Sequence, residues 1–276
     1  MRRVATVGPV TMVSPAAAGP ELGDLLRYWR RSRRMSQLDL ANQAETTARY
    51  VSFVETGRAN PSRHMVIRLA EALQVPFRER NDLLLAAGFA PRYAQRPLDA
   101  APLRHLHAAL DAMLAQHEPY PAVLMDRGWS ILRGNQGARR LFGTLLAPAP
   151  LPADPNVLRL MIAPGPVRDA VLNWPAVVTG LLGRVRREAV GGVLDAGTAA
   201  LVEELVRLPE VALLAAADNA PPEEPVIDVR FRVDGVRLAF FSLLTTVGTP
   251  ADVTAQELRV EAFFPADDAT RAAWVS

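Results

Sequence analysis

Ser36-Gln37-Leu38-Asp39-Leu40-Ala41, followed by Tyr50-Val51-Ser52-Phe53-Val54-Glu55-Thr56-Gly57-Arg58-Ala59-Asn60-Pro61-Ser62, decides how this chain is read. Apolar Leu40, small Ala41 and apolar Val51 and Val54 suit two short helices crossing closely around a tight turn. Ser36 offers the hydroxyl of a helix N-cap, and Asp39 three residues on stands in a capping-box-like relation to it. Thr46 or Thr47 is the natural cap of the next helix, which runs to about Thr56 and stops at Gly57.

The pattern extends outward in both directions. Upstream, Leu22, Leu25, Leu26 and Trp29 recur at i, i+3, i+4 and i+7. Downstream, Pro61 and Ser62 open a fourth helix whose Val66, Leu69, Ala70 and Leu73 repeat the core spacing, and a fifth runs from about Phe77 to Ala87 before Gly88. In the second helix Leu38 or Leu40, Ala41 and Ala44 would face inward. The fold expected for residues 21–92 is therefore an all-α five-helix domain with a helix-turn-helix at its centre. Glu45 occupies the turn, where a side chain costs about 1 kcal/mol if φ is positive.

The 276 residues are half hydrophobic, enough for two domains. The absence of cysteine removes disulfides, thiolate metal sites and a cysteine nucleophile, which fits a cytoplasmic location. All 31 basic residues are arginine. Residues 1–93 carry 14 Arg against 8 acidic residues, and residues 94–276 carry 17 against 21, so +6 faces −4. A basic front half is the one that meets phosphate. No uninterrupted apolar run reaches the 18–20 residues or so that span a bilayer, so no membrane partner is expected. Met1 to Pro20 reads as a disordered arm.

Prolines in Pro91-Arg92-Tyr93 and Pro97 to Pro102 mark a boundary, and Leu103, Leu106, Leu110 and Leu114 then spell a linker helix within 93–118. Its His105 and His107 point to different faces, and no metal site is expected. Ala122 to Asp126 and Trp129 to Arg133, around Arg127-Gly128, read as a hairpin, with a helix following from Asn135 to Phe142. Later strands are expected at Val226–Val233, Val236–Thr246 and Glu257–Phe264, the first two turning at Asp234-Gly235. Between them Trp174–Val190, Ala199–Leu208 and Pro209–Ala217 read as helices. Residues 119–276 thus form an α/β domain on an antiparallel sheet, making the whole chain α+β and multidomain.

With Ser36-Gln37, Leu40-Ala41, Val54-Glu55, Gly57-Arg58, Pro61-Ser62 and Leu69-Ala70 spaced as they are, Glu21 to Leu73 resembles the Cro/C1-type (XRE, lambda-repressor-like) helix-turn-helix family. The resemblance implies a third helix laid in the major groove of double-stranded DNA, with Gln37, Thr47, Arg58 and Asn60 on phosphate. Ala48, Arg49, Ser52 and Phe53 would read bases, Arg49 through guanine O6 and N7, the alternative for Phe53 being to pack against a neighbouring helix. It also implies an internal ion pair between Arg30 and Glu55.

Over nearly the whole chain the sequence resembles the MmyB-like transcription regulators. The residues that carry this are Arg80-Asn81-Asp82-Leu83-Leu84-Leu85-Ala86-Ala87-Gly88-Phe89-Ala90-Pro91, His117-Glu118-Pro119-Tyr120-Pro121-Ala122, Asp126-Arg127-Gly128-Trp129 and Asn156-Val157-Leu158-Arg159-Leu160-Met161. The resemblance implies a PAS-like sensor as second domain, for which a long-chain fatty acid is a known type of ligand; the reading of the whole chain is a ligand-responsive regulator, a homodimer on a pseudo-palindromic operator. Trp129, Ile131, Leu141, Phe142, Met161, Trp174, Val178, Leu181, Phe231 and Phe240 supply apolar surface for such a ligand, and Arg184, Arg186 or Asn135 a head-group partner. The same residues would serve equally as an ordinary core. In the competing reading the second domain only dimerises or recruits a protein.

Enzymatic readings fare worse, since the sequence holds no nucleophile elbow, phosphate loop or HExxH. The adjacent acids Glu223-Glu224 and Asp267-Asp268 read as solvated loop charge. No cofactor is required; a bound fatty acid is the one small molecule the resemblance suggests.

Overall fold

The computed structural model describes residues 21–188, 196–216, 226 and 228–275. The expected arm, Glu223-Glu224 and the Arg186 side chain lie outside the described residues. The chain divides into two compact units, one running through Leu73 and including Asp82–Pro91, the other comprising Gln74–Asn81 and Arg92 onward.

In the first unit α1 (Leu22–Ser32), α2 (Gln37–Gln43), α3 (Ala48–Glu55) and α4 (Arg63–Ala72) surround a core of Leu26, Trp29, Leu40, Ala41, Val51, Val54 and Leu69. The caps are the expected ones. Ser36 and Asp39 form a reciprocal capping box, and Thr47 accepts from the Tyr50 amide. Of the two alternatives in α2, Leu40 is buried and Leu38 faces out. Glu45 takes φ 45°, and its carboxylate pairs with Arg68 at 2.9 Å. A Cβ on Gly23 would stand 2.6 Å from the Glu55 carbonyl oxygen, so only glycine lets α1 approach α3 this closely.

The fifth helix, α5 (Phe77–Ala86), is shared by the two units. Its first turn is tied into the second unit: Phe77 stacks on Tyr93 with centroids 4.3 Å apart, and the Asn81 amide bonds the backbone of Arg92 and Tyr93.

The second unit is built on an antiparallel sheet of β1 (Ala122–Met125), β2 (Ile131–Gly134), β3 (Val229–Val233), β4 (Val236–Thr246) and β5 (Arg259–Pro265), in the order β2-β1-β5-β4-β3. The β3–β4 turn has Asp234 and Gly235 both at positive φ, as a tight two-residue hairpin turn requires. One sheet face, with Val123, Met125, Phe231, Leu238 and Phe240, joins a large core. That core also takes residues from α7 (Gln136–Leu146), α8 (Val157–Ile162), α9 (Pro166–Asp169), α10 (Trp174–Glu188), α11 (Ala196–Val206) and α12 (Pro209–Ala216). On the other face Ala122, Leu124, Leu258 and Val260 pack against Leu110 and Leu114 of α6 (Arg104–Gln116). The sheet is thus covered on both sides along β1 and β5.

Four expectations need correction. Trp129 is not a strand residue: it sits at φ 68° in a turn where Asp126 Oδ1 accepts from the Ser130 amide, with its ring driven inward and buried. Val226 is exposed and precedes β3 rather than opening it. Glu257 ends a short helix, α13 (Val253–Glu257), capped by Asp252, and the strand starts at Arg259. Asp267-Asp268 is no loop pair, because Asp267 accepts from the Thr270 amide and Asp268 begins α14 (Asp268–Val275). The side-chain and backbone hydrogen bonds from Thr270 hold the Asp267 carboxyl below its ordinary range.

Candidate functional site

In the first unit α3 has two sides. Val51, Val54 and Glu55 are buried, while Arg49 is exposed and Ala48, Ser52 and Phe53 are half-exposed on the stripe opposite. The Arg49 guanidinium lies 5.2 Å over the Phe53 ring, a cation–π contact one helical turn long. Neither Arg49 nor Arg58 enters an ion pair among the described residues. Gly57 at φ 70° ends the helix, and exposed Arg58 and Asn60 follow. The Arg58 and Ala59 amides both donate to the Phe53 carbonyl, so both are spent within the turn that follows α3.

Glu55 organises the base of this face. Its carboxylate is met by Arg30 through Nε at 2.6 Å and Nη2 at 2.9 Å, and by Gln37 Nε2 at 2.9 Å. Arg27 donates from Nη2 to its backbone carbonyl. The expected Arg30–Glu55 pair is therefore present, and Gln37, expected on phosphate, donates its side-chain amide to Glu55. Burial opposes ionisation of Glu55, but the hydrogen bonds from Arg30 and Gln37 and the charges of Arg30 and Arg27 leave its carboxyl below the ordinary value.

In the second unit the residues expected to line a pocket are gathered in one place. Trp129, Leu141, Phe142, Met161, Val178, Phe231 and Phe240 are buried in the large core, with Ile131, Trp174 and Leu181 half-buried against it. Trp174 donates to the Met161 carbonyl at 3.0 Å and carries Arg168 over its ring at 4.1 Å. Asn135 is occupied by the fold: its oxygen accepts from the Ala122 and Ala138 amides, and its nitrogen donates to the Leu114 and Tyr120 carbonyls. All four of its hydrogen bonds are made, which leaves nothing for a head group.

Arg184 is the head-group candidate that does face this interior. Its guanidinium lies 4.7 Å over the Trp129 ring and pairs through Nη1 with Glu261 at 2.6 Å. Glu261 also accepts from Ser242 Oγ at 2.6 Å. This polar group on the sheet's inward face was not foreseen. The opposite face holds an apolar cavity of about 160 Å³ lined by Leu106, Leu110, Met113, Thr245 and Val260, smaller than the roughly 300 Å³ at which small-molecule pockets begin.

The turn that positions Trp129 also carries Arg127, which reaches the other way. It pairs with Glu79 of α5 at 2.7 Å and Glu257 of α13 at 2.9 Å, while Glu257 is held bidentately by Arg78 at 2.8 Å. Burial disfavours the Arg127 charge, but the two carboxylates outweigh it and raise its pKa. No helix among the described residues is long and apolar enough to cross a membrane.

Comparison with known proteins bears on both units. A helix-turn-helix domain family matches residues 21–83. One solved structure similar to this chain is the restriction-modification controller protein C.AhdI from Aeromonas hydrophila, 36% identical over 21% of this chain and 89% of that one, with a TM-score of 0.21. No curated protein matches the chain. The profile of the MmyB-like transcription regulator ligand binding domain matches residues 106–274, more than half of the chain. With a helix-turn-helix domain ahead of that domain, the chain belongs to the MmyB-like family of DNA-binding transcription regulators.

Proposed function

We propose that this regulator reads its operator through Arg49 and Phe53 of α3 and responds to a hydrophobic small molecule held in its second, PAS-like unit. The observation that carries the first half is the placement of Arg49. Its guanidinium is exposed, supported by the Phe53 ring and outside any described ion pair, on the side of α3 away from the core. A guanidinium so placed is suited to the bidentate pairing with guanine that reads a base step. Arg58 and Asn60 serve register through phosphate, and the protein acts in the cytoplasm as a homodimer on a two-fold site.

The second half rests on Arg184 over Trp129, a charged group at the edge of a large apolar interior. A ligand changes operator occupancy only by binding one arrangement of the protein better than another. The long-chain fatty acids known as ligands in the family are the first probes to try.

The DNA half is tested with duplexes selected from a randomised library and titrated over a range of salt. Arg49→Ala should lose about 1–3 kcal/mol on the selected site and little on random duplex. Arg58→Ala should weaken both alike and lower the salt slope by about one. Equal losses on both duplexes for Arg49→Ala would reject its reading role. Organic extraction of purified protein with mass spectrometry separates a sensor from a unit that only dimerises.

A further inference from the structure

The outer face of the sheet is only partly covered. Leu110 and Leu114 of α6 lie over β1 and β5, on Ala122, Leu124, Leu258 and Val260. β4 is the next strand, and its register sets Phe241, Leu243 and Thr245 beside Phe264, Ala262 and Val260, hence on the face that α6 occupies. There Leu243 is 56% exposed, and on α6 Met113 is 37% exposed. Ala109, one turn before Met113, is exposed as well. A single exposed apolar residue is ordinary, but a contiguous group marks a contact surface.

The same face has a hollow. The apolar cavity of about 160 Å³ is walled by Leu106, Ala109 and Met113 from the helix and by Thr245 and Val260 from the strands. A cavity of about 150 Å³ with apolar walls holds a single benzene ring, so this one accepts one apolar side chain and is too small for a lipid. Leu243 projects two residues along β4 from Thr245, on the same side. Knob and hollow therefore share one surface, as a two-fold contact requires, in which residue i meets j and j meets i.

Composition and size agree with a second copy as occupant. No charged side chain interrupts Leu106, Ala109, Met113, Phe241, Leu243 and Thr245, and loss of charge with Met and aromatic residues present is the mark of an interface centre. Exposed Arg232 and Arg237, paired across β3 and β4, stand at the hairpin end as a polar rim. α6 has 13 residues and β4 has 11. Side by side they present about 20 by 15 Å, roughly 300 Å² before side-chain relief is added, against about 800 Å² per partner in a standard interface. Such a contact makes a weak, reversible dimer.

We propose that this face joins two copies of the chain about a two-fold axis, Leu243 of each filling the cavity beside α6 of the other. This rests on the homodimer reading and assigns its surface.

The test is sedimentation of the full-length protein from about 1 to 200 μM, the range that resolves micromolar association. Leu243→Arg carries a guanidinium into the hollow, and Ala109→Glu places a carboxylate on its wall. Both positions are exposed in the single chain, so the fold tolerates either change. Each variant should dimerise about 10-fold or more weakly than the wild type. Mixed in equal amounts, the two form a heterodimer with one native contact and one guanidinium–carboxylate contact, and should associate about 10-fold or more tightly than either alone. Variants that dimerise like the wild type overturn this interface and leave the homodimer reading standing. Weakened variants that do not recover on mixing overturn the seating of Leu243 in the hollow. A wild-type protein that stays monomeric throughout overturns the interface and the homodimer reading together, and leaves the hollow to a side chain of a different protein.

Discussion

Removal of the Glu55 carboxylate is the sharpest test of how the first unit holds together. Glu55→Ala leaves Arg30 with its side chain 12% exposed and the Met35 carbonyl as a remaining partner. Breaking a buried pair by deleting one member costs about 3–5 kcal/mol, because a buried charge stays behind without compensation. The Gln37 hydrogen bond, worth about 1 kcal/mol, is lost as well. That is a third or more of the stability of a typical small domain. Arg30→Ala should cost a similar amount. The double variant should cost well under the sum, since neither charge is then stranded.

The assay is hydrogen exchange by mass spectrometry on the full chain, following peptides from α2 and α3. Fluorescence would mix the units, because Trp29 reports on one and Trp129, Trp174 and Trp274 on the other. The pH dependence has a definite sign. A carboxyl held below its ordinary value of 4.5 contributes stability that is complete above that value and is lost as pH falls through the lowered one. Protection of α2 and α3 should therefore fall on acidification in the wild type and be flatter in Glu55→Ala. A loss below about 1 kcal/mol, or strict additivity in the double variant, refutes the reasoning.

Three other outcomes follow from the geometry. Glu45→Gly should stabilise the first unit by several tenths of a kcal/mol in thermal unfolding, since the relief at φ 45° exceeds the value of its exposed pair with Arg68. Gly23→Ala should cost about 1–3 kcal/mol by the same measurement, because its Cβ meets the backbone of α3. Asn135→Ala should destabilise the second unit by about 2–4 kcal/mol in urea unfolding, as it strands buried backbone groups of Ala122, Ala138, Leu114 and Tyr120.

The helix-turn-helix was legible because its information is local. Caps at Ser36, Thr47 and Ser62 act within three residues, and the core spacing repeats within each helix. Helix α13, five residues long, offers no period to detect, and only its Asp252 cap could have announced it. The Arg184–Glu261 pair was hidden for a different reason. Arg259, Glu261 and Phe263 share one face of β5 and Leu258, Val260 and Ala262 the other, which reads as a charged face toward solvent. Helices cover both faces of this strand, so the charged row points inward to Trp129 and Ser242. The partners of Arg127 were equally unreadable, standing 48 and 130 residues away.

That arginine ties the turn of Trp129 to the start of the fifth helix. Asp126 to Ser130 is one turn with two loads: Trp129 under Arg184, and Arg127 between Glu79 and Glu257. Glu79 lies in the first turn of α5, the part packed with the second unit, and from Asp82 the same helix belongs to the first. Arg127→Met removes the clamp while keeping most of the side-chain volume. It leaves Glu79 and Glu257, both largely buried, short of a partner. Amides of residues 81–85 should then exchange about 10-fold or more faster, the change expected for a loss of about 1.4 kcal/mol, while those of β1 and β5 should keep their protection. Unchanged exchange in α5 would show that Arg127 does not hold the helix.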